Sequence, residues 1–302
     1  MGTFIGHVLP GCFFFLYGLW FLVRCSFICF YRRAGVDRSG SIRLWLPFRC
    51  CRRRRRSETE SGLVRLSYEG LIVIACALIG FVGELATGNW QLYVVRESAT
   101  HHPYVEYIHM NKFEHATMYA FFFLVGLVTV IDSMVSFQLQ FPLGIDRVSF
   151  ALAYAVEGLL FFYHLDGKSG LEVRVHVLLI YAIIGCVVAT LLEIVFPTSL
   201  LCVTARSFCT VLQGSWFFQI AHVLYGSSPW EETSDNSRFV VMVFCWHIFG
   251  ILVGSLVLFF SVSLVAMKCC SHRVDSRNEW SDRKLEEESL MLQLQQEDNS
   301  SV

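Results

Sequence analysis

Seven long apolar runs are the feature that most constrains this chain. They cover about residues 4–29, 68–90, 113–136, 145–165, 171–196, 199–226 and 238–267. Each run approaches or exceeds the roughly 20 predominantly apolar residues that cross a hydrocarbon core of about 30 Å as a helix. We therefore predict an all-α, polytopic membrane protein that folds as a bundle of seven transmembrane helices.

The composition and the proline positions agree with this prediction. Only 16% of the 302 residues are charged and 55% are apolar, whereas soluble domains carry about 25% charged residues. This balance excludes a soluble enzyme, a disordered chain and a coiled coil. Proline interrupts helices, and prolines 47, 103, 142, 197 and 229 all fall in predicted connections.

The orientation follows from positive charge in the connections. Arginine is concentrated in the loop of residues 31–67, which includes the run Arg52–Arg56. Since cytoplasmic loops carry the excess of Lys and Arg, this loop is predicted to be cytoplasmic and the N-terminus to lie outside. Seven spans then place the C-terminus in the cytoplasm. The predicted organisation is a membrane domain, residues 1–267, and a mobile cytoplasmic tail, residues 268–302; nothing indicates which membrane holds it.

Three features on the cytoplasmic side suggest partners besides bulk membrane lipid. The Arg52–Arg56 run suits anionic lipid, although a role in fixing topology explains it as well, and the flanking spans exclude nucleic acid. The pairs Cys50-Cys51 and Cys269-Cys270 are candidates for palmitoylation, or are reduced thiols. Ser300-Ser301-Val302 fits a domain that captures C-terminal carboxylates, and chance explains these three residues equally. The oligomeric state is left open.

Ionisable side chains within the spans are the candidate functional residues, because they are costly in a bilayer. Six histidines lie in six different spans, and with the predicted orientation all six fall in the outer half. Glu84 of span two joins them, and Glu157 lies seven residues before His164, on the same helix face. The six histidines are His7, His115, His164, His176, His222 and His247.

Two or three histidines, a carboxylate and an open position for water form the ligand set that a transition metal such as zinc prefers. The predicted ligands are His7, His115, His164, His176 and His247. Glu157 and Glu84 are the catalytic candidates, as general base or as orienting carboxylate. A water activated by the metal would hydrolyse a lipid ester or amide, so a metal-dependent membrane hydrolase is one hypothesis.

The alternative is a non-catalytic scaffold or trafficking protein, in which the same His and Glu side chains form a structural hydrogen-bond network. A proton or ion path is a third interpretation. No compact motif such as H-E-x-x-H occurs, so convergence of the ligands is an expectation. In the inner half, Glu193 and Arg206 flank the turn at Pro197, and we expect them to form an ion pair.

Several motifs resemble the transmembrane protein 45 family, which includes the transmembrane epididymal proteins. They are Gly6–Gly11, Gly83-Glu84, His115–Tyr119, Gln213–Gln219 and Cys245–His247. The resemblance extends from residue 1 to about 267, although the Arg-rich loop is longer than is usual in the family and the tail does not match clearly. It implies seven spans and carries over no established activity. The family pattern holds His7, Glu84, His115, Glu157, His164, His176, Glu193 and His247, while His222 departs from it.

Overall fold

The computed structural model describes residues 3–33, 67–97, 103–135 and 144–300. These residues form seven helices and one two-stranded hairpin. The helices begin and end within a few residues of the predicted runs, except at the end of the last one. They are α1 (Phe4–Arg33), α2 (Tyr68–Thr87), α3 (Met110–Val135), α4 (Ile145–Tyr163), α5 (Gly170–Val195), α6 (Leu200–Tyr225) and α7 (Ser234–Ser300), and the strands are β1 (Tyr93–Glu97) and β2 (Pro103–Tyr107).

Five of these helices contain a segment that is long and apolar enough to cross a membrane: Phe4–Arg32, Tyr68–Thr87, Met110–Ser133, Gly170–Val195 and Ser234–Lys268. The two others, α4 and α6, carry more polar side chains, and many of these are buried inside the bundle. The protein is therefore an all-α membrane protein that crosses the bilayer several times.

The first six helices form a ring that is nearly open between α1 and α2, and α7 packs on the outside of it. Around the ring, α1 packs on α6, α6 on α5, α5 on α4, α4 on α3, and α3 on α2, whereas α2 and α1 contact each other little. Helix α7 lies against α1, α5 and α6. The starts of α1, α3 and α5 meet the ends of α2 and α4 at one end of the ring, which we name the histidine end. We name the opposite end, where Glu193 pairs with Arg147 and Arg206, the ion-pair end.

Serine side chains cap three of the helices. The hydroxyl oxygens of Ser67, Ser169 and Ser199 accept hydrogen bonds from backbone N–H groups in the first turns of α2, α5 and α6, at 3.2, 3.3 and 3.4 Å. These bonds satisfy donors that have no partner within a helix. The start of α4 uses glycine instead, since Gly144 has a φ of +86°, which only glycine adopts without strain.

The closest approach in the ring is between α1 and α6. A Cβ added to Gly214 would overlap the backbone nitrogen of Phe15, and one added to Gly18 would lie 2.7 Å from the nitrogen of Val211. Without side chains at these points the two backbones come into direct contact, as small residues allow in membrane bundles. This contact positions the start of α1 against α5 and α6.

The outer surface is apolar and the interior holds many polar groups. Ile5, Leu201 and Phe249 are 74%, 77% and 67% exposed, which suits contact with lipid chains. In the interior, the Trp216 indole is fully buried and donates to the carbonyl of Val175 at 2.8 Å. Trp216 is thus a buried polar side chain with a partner inside the bundle, as a bilayer requires.

Two elements were not predicted from the sequence. Strands β1 and β2 form an antiparallel hairpin between α2 and α3, with Tyr93 opposite Tyr107 and Glu97 opposite Pro103. Helix α7 continues to Ser300, so its backbone is helical through the segment predicted to be a mobile tail. The mobility of that segment stays a prediction.

Candidate functional site

Four of the five histidines predicted as metal ligands lie side by side at the histidine end. The ring centroids of His115 and His164 are 5.5 Å apart, those of His164 and His176 are 5.6 Å apart, and those of His176 and His7 are 5.8 Å apart. We name this set the histidine row. Its members come from α3, the C-cap of α4, α5 and α1, so the ring of helices brings together residues that are distant in sequence.

Two members of the histidine row are oriented by their own helices. The Nδ1 atom of His7 lies 3.0 Å from the carbonyl oxygen of Thr3, and that of His176 lies 2.7 Å from the carbonyl oxygen of Glu172. A carbonyl oxygen can only accept, so Nδ1 of each ring carries the proton and donates it. The lone pair of Nε2 is therefore left available in both rings.

Carboxylates orient the two other members. The Nδ1 atom of His115 lies 3.3 Å from Glu84 Oε1, and that of His164 lies 2.8 Å from Glu114 Oε2. Backbone carbonyls and carboxylates at Nδ1 are the partners that orient metal-binding histidines in proteins. His176 is fully buried, and its Nε2 atom has no hydrogen-bond partner among the residues that the structure describes.

The two predicted catalytic carboxylates differ in their surroundings. Glu84 contacts a lysine and a histidine: Lys112 Nζ lies 3.0 Å from its Oε2 atom, and His115 lies beside its Oε1 atom. Glu157 is 2% exposed, and both of its oxygens accept from Gln213 Nε2, at 2.9 and 3.0 Å. Glu157 is the more deeply placed of the two, as its distance from the end of α4 requires.

A cavity of about 30 Å³ joins these groups. It is bounded by His7, Glu84, His115 and Glu157, and aromatic side chains such as Phe161 form much of its apolar wall. Since one water molecule needs roughly 10–15 Å³, the cavity has room for about two. A smaller cavity of about 10 Å³ shares His7, Glu84 and His115 with it and is also lined by Thr3, Asn111 and Lys112. Of the histidine row, His7 and His115 line the larger cavity together with Glu157, whereas His164 and His176 do not.

His247 lies outside the histidine row, in contrast to its prediction as a ligand beside the other four. Its ring packs against Trp216 with a centroid distance of 5.4 Å, and its Nδ1 atom is 3.1 Å from Ser215 Oγ. Among the described residues, no other histidine ring contacts it. The reason is that α7 packs on the outside of the ring. His222, which departs from the family pattern, is exposed on α6.

No three His, Cys, Asp or Glu side chains of the described ranges form a ready-made metal site. Consecutive members of the histidine row nevertheless have a spacing close to that of two imidazoles on one metal. Two imidazoles that bind one tetrahedral metal through Nε2, at about 2.0–2.1 Å, have centroids roughly 5 Å apart. The observed distances of 5.5–5.8 Å exceed this value by less than about 1 Å.

Three residues of the site were not assigned a role from the sequence. Glu114 directly precedes His115, but it contacts His164 of α4 instead. Lys112 lies one turn before His115 and reaches Glu84. Gln213 belongs to a motif that resembles the family, and it holds Glu157. The charge of Glu114 and Lys112 at the edge of a span was the signal that could have found them.

The ion-pair end holds the predicted contact between Glu193 and Arg206. Arg206 Nε donates to Glu193 Oε2 at 2.8 Å, and Arg147 Nε donates to Oε1 of the same carboxylate at 2.9 Å. The predicted pair is therefore confirmed, with a second arginine added. Glu69 of α2 likewise pairs with Arg24 of α1, which joins α1 to α2 at this end.

Comparison with known proteins finds similarity to one family model and to two transmembrane proteins. Residues 143–260 match a family of unknown function, DUF716. The chain is 24% identical over 259 residues to transmembrane epididymal protein 1A of Mus musculus, and 26% identical over 262 residues to transmembrane epididymal protein 1 of Rattus norvegicus; each alignment covers 82% of this chain and 77% of the relative. The family resemblance is confirmed.

Together with the apolar helices, the likeness to the transmembrane epididymal proteins establishes a multi-pass membrane protein. The segment that matches the family model contains His164, His176 and Glu157, whereas His7 and His115 precede it. The Arg52–Arg56 run and Cys50-Cys51 lie outside the described residues, as do Ser301 and Val302 and the side chains of Cys269 and Cys270. Lipid binding by the run, palmitoylation and C-terminal capture therefore stay predictions.

Proposed function

We propose that this protein binds a transition metal, with zinc the best candidate, at the histidine row. One observation carries the proposal: each of the four rings has a hydrogen-bond acceptor at Nδ1, which leaves Nε2 as the nitrogen for a metal. Four imidazoles of this kind, with consecutive centroids 5.5–5.8 Å apart, form a donor set that suits zinc.

His176 supports the proposal further. Leaving a buried polar atom without a partner costs about 1–3 kcal/mol, and the Nε2 atom of His176 is in that condition among the described residues. A metal bound by His115, His164 and His176 would supply the missing partner. His7, next in the row, would be the fourth ligand or would leave that position open to water.

The adjoining cavity and Glu157 suit hydrolysis. A bound metal would supply an activated water, and the cavity that His7, His115 and Glu157 line has room for it. Glu157, held by Gln213, would accept the proton of that water as general base. Because the site lies among membrane helices, a lipid ester or amide is the proposed substrate class.

We also propose seven spans, with the N-terminus outside and the C-terminus in the cytoplasm. Helix α4 has 19 residues, or about 28 Å at 1.5 Å per residue, and α6 has 26, so both are long enough to cross. Helix α1 ends and α2 begins toward the ion-pair end, where Arg24 pairs with Glu69. The many arginines between these two helices support placing that end in the cytoplasm.

The second candidate function is a non-catalytic scaffold. It is favoured by the pairing of Glu157 with Gln213 and of Glu84 with Lys112 and His115, since satisfied buried networks also specify packing. In that case the histidine row stabilises the bundle and binds no metal.

Metal content of the full-length protein, purified in detergent without chelators, tests the proposal. We expect about one zinc per chain, and we expect His164→Ala and His176→Ala to lose it, because a site with three or four protein ligands tolerates no gap. His222→Ala is the matched control, since His222 is exposed on the same bundle, and should retain the metal.

Glu157→Gln separates metal binding from hydrolysis. The variant should still bind zinc, with an affinity lower by at most roughly 10–100-fold, which is typical when the changed residue does not itself bind the metal. It should hydrolyse no lipid ester or amide. A wild-type protein without stoichiometric metal, combined with equal losses of thermal stability in Glu157→Gln and His164→Ala, would favour the scaffold instead.

A further inference from the structure

The hairpin between α2 and α3 has two chemically different faces. Side chains alternate across a strand, so the register places Tyr93, Val95, Val105 and Tyr107 on one face. The rings of Tyr93 and Tyr107 contact each other, with centroids 6.4 Å apart, which agrees with that assignment. We name this set the apolar hairpin face. The other face carries Val94, Arg96, Tyr104 and Glu106, and its two charged members, Arg96 and Glu106, form an ion pair.

The apolar hairpin face is uncovered within the described part of the chain. Tyr93, Val95, Val105 and Tyr107 are 52%, 63%, 52% and 63% exposed. A two-stranded hairpin is marginally stable at best in water unless an apolar face is packed. Something outside the described chain must therefore cover this face.

The position of the hairpin decides what covers it. Strand β1 begins six residues after the last residue of α2, and α3 begins three residues after the last residue of β2. Both helices contain candidate membrane spans, so the hairpin cannot move far from the bilayer surface. Ile79 and Val82 of α2 are 58% and 49% exposed, so the helix that leads to the hairpin also presents apolar side chains to its surroundings.

The aromatic side chains of the hairpin are of types that favour the membrane–water interface. Tyr and Trp are enriched where a membrane meets water, because their rings are apolar and their polar atoms reach water. Besides the two tyrosines of the apolar face, Trp90 is 60% exposed in the connection to β1. Its φ of +57° is unusual for a bulky residue.

We propose that the hairpin lies on the membrane surface at the histidine end, with its apolar face inserted among lipid headgroups. The ionic face, with Arg96 and Glu106, is then turned to water. The partner is the lipid surface itself, and the inference is independent of metal binding.

Nitroxide labels on the full-length protein in phosphatidylcholine vesicles test this proposal. Single cysteines replace Val95 or Val105 on the apolar face and Arg96 on the ionic face, in a background in which all 12 native cysteines are replaced by Ser or Ala. Labels at positions 95 and 105 should be relaxed mainly by oxygen, which concentrates in lipid. The label at position 96 should be relaxed mainly by a water-soluble nickel chelate, with the oxygen-to-nickel ratio several-fold lower.

Two results would overturn the proposal. If all three labels are equally accessible to the nickel chelate, then the hairpin stands in water. If the labels at positions 95 and 105 are shielded from both reagents, then a protein surface, either a partner or a second copy of the chain, covers this face. A label at Leu201, which is 77% exposed on α6, gives the reference value for a surface of the helix bundle.

Discussion

At the scale of single residues, Lys112 is the group that opposes a metal at the histidine row. Its Nζ atom lies 3.0 Å from Glu84 Oε2, and Glu84 in turn orients His115. A bound cation would therefore face a like charge nearby. Such repulsion amounts to about 1–4 kcal/mol at 4 Å, depending on the local dielectric.

Lys112→Met should consequently tighten zinc binding by about tenfold, which corresponds to roughly 1.4 kcal/mol. Competition against a chromophoric chelator measures the change. Arg96→Met is the control, since it also removes a cation that pairs with a glutamate, but in the hairpin. If Lys112→Met binds zinc more weakly than Arg96→Met, the ion pair holds Glu84 and His115 in place instead of competing with the metal.

The histidines themselves could be predicted from the sequence, whereas half of their partners could not. The contacts from His7 to Thr3 and from His176 to Glu172 follow from helix geometry, because each joins residues four apart. The contact of His164 with Glu114 joins residues 50 apart, so it depends on which helices are neighbours. Periodicity does not specify that order.

At the scale of the helices, the contact between α1 and α6 depends on an absent side chain. A Cβ at Gly214 would overlap the backbone of Phe15 and lie 2.9 Å from the carbonyl oxygen of Gly11. Backbone atoms cannot move away as the end of a flexible side chain can, so the helices must separate.

Gly214→Ala should therefore destabilise the protein by about 1–3 kcal/mol, as overpacking does in well-packed interiors. Thermal unfolding of the detergent-purified protein measures this effect. Gly254→Ala is the matched control, because a Cβ there meets no atom within 4 Å. Equal melting temperatures for the two variants would show that α1 and α6 are not in direct backbone contact.

The extent of the helices was predictable from apolar length, but two elements were not found. The hairpin strands have five residues each and contain Tyr and Val, which favour strands. Each strand is too short to stand out between two strong helical patterns, so the connection between α2 and α3 was not predicted to contain strands. The helical continuation of α7 to Ser300 has no apolar run to indicate it.

At the scale of the whole molecule, the orientation in the membrane follows from one loop. We expect an epitope inserted in residues 31–67 and one at the C-terminus to be reached by antibodies only after cells are permeabilised, since the arginines keep this end in the cytoplasm. Asn299-Ser300-Ser301 is a glycosylation sequence that should stay unmodified. Glycan at Asn299 in the native protein would reverse the orientation.

The contact between α1 and α6 also has a consequence for biosynthesis. Helix α1 is made before its main packing partner α6, and four other helices come between them. Until α6 is made, Gly11 and Gly18 lack the α6 residues that contact them in the folded bundle. The His7 ring likewise lacks Phe217 and Tyr225, the α6 rings that it contacts. Helix α1 is therefore without its main packing partner through most of the synthesis of the bundle.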